Sequence, residues 1–161
     1  MKRFALVAGL FFAGCAPDQM IGSYAFNITA GLDTQTAPSN STSTPTGTGT
    51  LVITHGKTDA YLVTIAHADV GGCTLRGSKK ESDQAMKFDL VANQPCVLKN
   101  SSTQVTATIT SGTMTQTITE VSQSERRRDV SMVINYSYSG TTFLGINFAG
   151  TGTRTYAGPE M

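Results

Sequence analysis

Tryptophan is absent from this chain, histidine occurs twice and cysteine three times. Charged residues make up only 14% of its 161 residues, divided between 12 basic and 11 acidic. Each scarcity removes a class of function. A nucleic-acid surface needs a clustered excess of Lys and Arg, and the balance of charge offers none. Catalysis by a histidine base has only His55 and His67 to draw on. His67-Ala68-Asp69 is the nearest approach to a His–carboxylate pair, and such residues are also ordinary at a strand end. No Gly-x-Ser-x-Gly elbow or His-Glu-x-x-His helix motif occurs. Gly47-Thr48-Gly49 and Gly150-Thr151-Gly152 lack the Lys-Ser/Thr of a phosphate loop. The expectation is a protein that is not an enzyme and carries no cofactor and no metal.

Long apolar runs are scarce too. The run at the start, Phe4 to Phe12, is uncharged and mostly apolar. It is far short of the roughly 20 residues that span a bilayer core. It follows Met1-Lys2-Arg3 and precedes Ala13-Gly14-Cys15. Two cations, a short apolar stretch and small residues make a secretory signal, and its small-small-Cys ending resembles a bacterial lipoprotein signal. That resemblance implies removal of residues 1–14 and lipidation of Cys15, palmitate included. Ala16 rather than Asp follows the cysteine, which by the same resemblance implies an outer-membrane lipid anchor. The cell-envelope domain then faces either the periplasm or the exterior. Residues 15–19 form the lipidated end and a short tether.

With Cys15 lipidated, Cys73 and Cys96 remain as a pair that an oxidising compartment lets join. Closing a loop of that size contributes about 3 to 4 kcal/mol in the chain-entropy model. A metal site would need more ligands at close spacing than Gly72-Cys73-Thr74 and Pro95-Cys96-Val97 provide. Without Lys2 and Arg3, the mature chain has one more acidic than basic residue.

What the mature chain does have is Thr, Ser and Gly in alternation with apolar residues. Tyr24, Phe26 and Ile28 share one face of a first strand. Leu51 with Ile53, Tyr61 with Val63 and Ile65, and Cys73 with Leu75 mark three more. Met86, Phe88 and Leu90 point inward, as do Val105, Ala107 and Ile109. Ser111-Gly112 reads as a tight turn into a strand over 113–121. Met132, Ile134, Tyr136 and Tyr138 lead through a turn at Ser139-Gly140-Thr141 into a strand of Leu144, Ile146 and Phe148. Residues 33–50 hold no large apolar side chain, so they read as a long mobile loop between the first two strands. The result is a single all-β domain over 20–158, an antiparallel up-and-down meander of eight to ten strands, with a β-sandwich as the alternative.

Gly22-Ser23-Tyr24 is similar to the Gly-x-Trp that opens lipocalin barrels, and the 33–50 segment sits where those barrels carry a lid. The chain thus resembles a small outer-membrane lipoprotein with a lipocalin-like β-barrel. The resemblance implies a lumen for a small apolar ligand, with Tyr24, Phe26, Phe88, Tyr136, Tyr138 and Phe148 as candidate walls. The same six residues serve equally as plain core. Gln116 and Glu120 share a face with Met114 and Ile118; they fit either an edge strand without a dry face or a wettable lumen. Glu125-Arg126-Arg127-Arg128-Asp129 reads as an exposed loop whose three guanidinium groups are candidate anion binders, or a solvated run neutralised by its flanking acids. The expected partners are the membrane through the N-terminal lipid and a small apolar ligand or an envelope protein, with the domain a monomer. A protein–protein or inhibitor module working through exposed loops is the alternative function.

Overall fold

In a chain where Thr, Val and Ile alternate with large apolar residues, the backbone favours extended strands. The computed structural model describes residues 20–56, 60–67, 71–79, 87–100, 103–122, 125–142 and 144–161. The expected leader, Cys15, the expected tether, residues 57–59, Asp69 and Met86 lie outside them, and so does the His67 side chain. The chain is all-β, with no helix among the described residues. Ten strands form: β1 Gly22–Ala37, β2 Ser41–Ser43, β3 Thr48–His55, β4 Ala60–His67, β5 Gly71–Lys79, β6 Lys87–Leu90, β7 Gln94–Asn100, β8 Thr103–Glu120, β9 Arg126–Thr141 and β10 Asn147–Pro159.

Their pairing is antiparallel throughout. The order β10-β9-β8-β6-β5-β4-β3-β1, together with a β1–β10 pairing, makes a ring of eight. β2 pairs with β1, and β7 with β8. A barrel-like meander and a β-sandwich both fit this arrangement. Consecutive strands are mostly neighbours, as the short turns lead one to expect. β5 and β7 meet through the Cys73–Cys96 disulfide and through Gln94. Its side-chain amide pairs with Arg76 as a peptide group would. Arg76 N–H donates to Gln94 Oε1 at 2.6 Å, and Gln94 Nε2 donates to the Arg76 carbonyl at 3.0 Å.

Apart from β2, whose three residues are exposed, the strands turn one face to the interior. Tyr24, Phe26, Leu51, Ile53, Val63, Leu75, Phe88, Ile109, Met114, Met132, Ile134 and Tyr156 form a continuous buried core. Tyr61 stacks on Phe88 with centroids 4.7 Å apart, and Phe26 meets Tyr156 edge-on at 4.9 Å.

Three expectations are corrected. The segment 33–50 is not one loop. Residues 33–37 continue β1, pairing Asp33 with Gly152 and Ala37 with Ala149, and residues 41–43 add β2. Ladder hydrogen bonds to β10 supply the order that its small side chains do not. Ser111-Gly112 is no turn: β8 passes straight through it, and a bulge between Ile109 and Ser111 takes up the extra residue. The last hairpin turns at 142–146 rather than at 139–141, so Leu144 and Ile146 stand in the turn and are exposed.

Candidate functional site

A second bulge decides where the chemistry lies. In β1, even-numbered Tyr24, Phe26 and Ile28 face the core, but the register shifts between Ile28 and Ala30. Side chains alternate with period two, so one extra residue transfers the odd positions to the interior. Asp33 is thereby buried, at 9% exposure. On the neighbouring strand, β10, Gly150, Gly152, Arg154 and Tyr156 follow at alternate positions. Arg154 is 2% exposed.

Asp33, Gly152 and Tyr136 occupy one row across β1, β10 and β9. Only a residue without a side chain fits the middle place. A Cβ on Gly152 would lie 2.5 Å from Asp33 Oδ1 and 2.5 Å from Tyr136 Cζ. Glycine therefore lets the Tyr136 ring cross β10 and donate its hydroxyl hydrogen to Asp33 Oδ1. Arg154, two residues along the same face, closes the triangle. Its Nε donates to the Tyr136 hydroxyl at 2.8 Å and its Nη2 to Asp33 Oδ2 at 3.0 Å. Its guanidinium carbon lies 5.4 Å from the Tyr136 ring centroid.

The electrostatics keep these groups in fixed states. Burial, reinforced by the hydrogen bond to Asp33, pushes the Tyr136 hydroxyl far above the ordinary tyrosine range. Burial likewise raises Tyr156 and Tyr138, with the Arg154 charge opposing both shifts. For Arg154, burial pulls downward, but the acidic groups of Tyr136, Tyr156 and Asp33 outweigh it and the net shift is upward. A neutral tyrosine, a permanent cation and its counter-carboxylate make a clamp. Neither the Tyr136 hydroxyl nor the Arg154 guanidinium, both raised, is an activated nucleophile or a base poised near neutrality. Arg154 Nη1 and the Tyr156 hydroxyl are both buried side-chain atoms; the guanidinium beside the hydroxyl pulls its pKa down against the larger effect of burial.

A second buried pair stands nearer the start of the domain. Gln116 is 2% exposed and donates to the Tyr24 hydroxyl at 2.7 Å, which donates in turn to the Met20 carbonyl at 3.2 Å. β8 is thus no edge strand. Gln116 points inward, while Glu120 lies exposed at the strand's end and pairs with Arg126.

Of the six candidate wall residues, Tyr24, Phe26, Phe88 and Tyr136 are at most 2% exposed and packed in the core. Tyr138 and Phe148 are half-buried, 6.4 Å apart. A groove of about 380 Å³ opens on the outer face at the β8 bulge, lined by Asp89, Ser111, Thr113, Val133 and Asn135 among others, and it includes none of the six.

The arginine run is not the exposed loop its sequence suggests. Arg126, Arg127 and Arg128 open β9 and pair with Glu120, Thr119 and Ile118 across the ladder. Alternation sets Arg127 on the opposite face from its neighbours. Each guanidinium has its own carboxylate: Arg126–Glu120 at 3.3 Å, Arg127–Asp129 at 2.8 Å, and Arg128–Glu160. The three therefore do not converge on one anion. His55 is exposed at the end of β3 and stacks on Tyr61 at 5.7 Å. Among the described residues, no cluster of His, Cys, Asp and Glu could hold a metal.

Sequence reasoning missed Asp33 and Arg154. The available signal was the alternation Gly150-x-Gly152-x-Arg154-x-Tyr156, a strand pattern with one charge on its inner face.

No family model matches the chain, and no curated protein is significantly similar to it. A crystal structure of a multidomain protein including DUF1735 from Bacteroides ovatus is similar to it at a TM-score of 0.44 and 12% identity. That likeness covers 86% of this chain and 57% of the other, so the chain spans little more than half of that protein.

Proposed function

We propose that this β-fold module is a non-enzymatic cell-envelope lipoprotein, held to the outer membrane through Cys15, that works as a structural or docking module through its surface. The observation that carries the reading is the packed core: Tyr24, Phe26, Phe88 and Tyr136, four of the six residues suited to line a lumen, are at most 2% exposed, and the Asp33–Tyr136–Arg154 clamp crosses the space between β1 and β9. A carrier in which those aromatics enclose a small apolar ligand would need that core to open. The leader's small-small-Cys ending supports the anchor, and the Cys73–Cys96 bridge suits an oxidising compartment.

The anchor is tested by expressing the full chain and its Cys15→Ser variant in a bacterial host fed a tagged palmitate. The reading expects label and membrane pelleting with Cys15, and neither with the variant. Label-free protein that pellets equally in both forms would refute it.

A further inference from the structure

The β9–β10 turn carries a feature that the anchored-module reading leaves unused. Turn residues are ordinarily polar or glycine. Here Leu144 and Ile146 are 70% and 45% exposed. The turn is nonetheless well knit. Thr142 N–H donates to the Ile146 carbonyl at 2.9 Å, Gly145 N–H to the Thr142 carbonyl at 2.9 Å, and Ile146 N–H to Thr142 Oγ1 at 3.1 Å. Gly145 supplies the left-handed step at φ 77°. The hairpin also outlasts its ladders. β8 last pairs with β9 at Tyr138 and β1 last pairs with β10 at Ala149, so beyond those points β9 and β10 pair with each other.

Charge follows the same pattern. Residues 130–153 contain no Asp, Glu, Lys or Arg, and neither do residues 34–56. The two strands of the hairpin, and the far end of β1 beside them, therefore bring no formal charge to this end. We propose that the tip is a lipid-contacting element, with Leu144 and Ile146 dipping into the interfacial layer of a bilayer. A low-dielectric layer penalises any charge that enters it, so the absence of charge on these strands suits a bilayer. Among the described residues of the turn, the exposed Leu144 and Ile146 fall far below the roughly 800 Å² per side of a specific protein interface, and they are not of the Trp, Tyr and Arg types that anchor such interfaces. A bilayer needs no complementary surface.

The tip stands at the far end of the ribbon from the start of the domain. β1 begins beside the last residues of β10, where Met161 N–H donates to the Ser23 carbonyl. The 13 residues of β10 separate that end from the tip by about 40 Å at roughly 3.3 Å per residue. The inference itself does not depend on acylation.

The chain has no tryptophan, so Leu144→Trp places a sole reporter at the tip and Val121→Trp, at a 56% exposed site, places one at the opposite end. Both are made in the full chain carrying Cys15→Ser, so that no acyl chain recruits the protein. Each is titrated with vesicles of equal parts phosphatidylcholine and phosphatidylglycerol, with and without brominated acyl chains. The expected result is a blue shift and bromine quenching for Leu144→Trp alone, both abolished by adding Ile146→Asp, with an unchanged urea midpoint showing that the fold is kept. Emission from Leu144→Trp that ignores vesicles, or that responds no differently from Val121→Trp, would overturn the proposal while leaving the Cys15 anchor standing.

Discussion

The two ends of the β1–β9–β10 ribbon handle charge in opposite ways. At the end where the domain begins, Arg126, Arg127 and Arg128 lie on the surface with Glu120, Asp129 and Glu160 as partners. Toward the other end, the ribbon's charges are Asp33 and Arg154, both turned inward and buried. Outside, that half of the ribbon is uncharged from 130 to 153 and ends in two exposed aliphatic side chains. Ion pairs on a wet surface add little because water already solvates them. A pair held in the core is different: once one partner is lost, the other is stranded in a medium that cannot solvate it. The contrast shows how a chain of few charges can spend them on solubility at one end and on fixing the register of three strands at the other.

The contrast breaks first at Arg154. Replacing it with Met leaves Asp33 buried without its cation and should lower stability by about 3–5 kcal/mol, read as a drop in the urea midpoint. Adding Asp33→Leu removes the stranded carboxylate, so the double variant should recover part of that loss. A double variant as unstable as the sum of the two singles would mean that the residues act independently.

A smaller effect belongs to Tyr136. Its folded pKa is raised above the ordinary value of 10.0 by burial. The folded state therefore holds a proton that the unfolded chain gives up as pH passes 10, and stability should fall with rising pH above that value. Tyr136→Phe should flatten this alkaline slope in urea titrations, at a cost of about 1–2 kcal/mol at neutral pH for the unpaired Asp33 oxygen. A slope identical in wild type and variant would assign the effect to other groups.

The smallest effect is expected at the beginning of the domain. Arg128→Gln removes the pairing with Glu160, which is only partly shielded from water, and should change stability by under about 1 kcal/mol. A loss comparable to that of Arg154→Met would erase the distinction between the two ends.

Much of the fold is legible in the sequence because period-two alternation is a direct record of which side faces the core. Tyr24 and Phe26, Phe88 and Leu90, and Met132, Ile134 and Tyr136 are all buried as their spacing predicts. What alternation cannot record is a change of phase. Extra residues at Thr29 and Thr110 reverse the inner face midway along β1 and β8, and neither threonine differs in kind from its neighbours. The clamp was hidden for a related reason. Asp33 sits in a stretch of small polar residues that orders only by pairing with a strand more than a hundred positions away, and its partner Arg154 is 121 residues distant. At the last hairpin, Leu144, Ile146 and Phe148 alternate as a strand would, yet the hydrogen bonds between Thr142 and Ile146 close a turn there instead.

The central claim is an acylated module whose core is packed with its own side chains. Native mass spectrometry of the mature protein, released gently from membranes, tests it most directly. The expected mass is a polypeptide beginning at Cys15, plus acyl groups, less two hydrogens for the Cys73–Cys96 bridge, with nothing further bound. A stoichiometric small molecule that leaves only on unfolding, or a chain that begins elsewhere and carries no lipid, would contradict it.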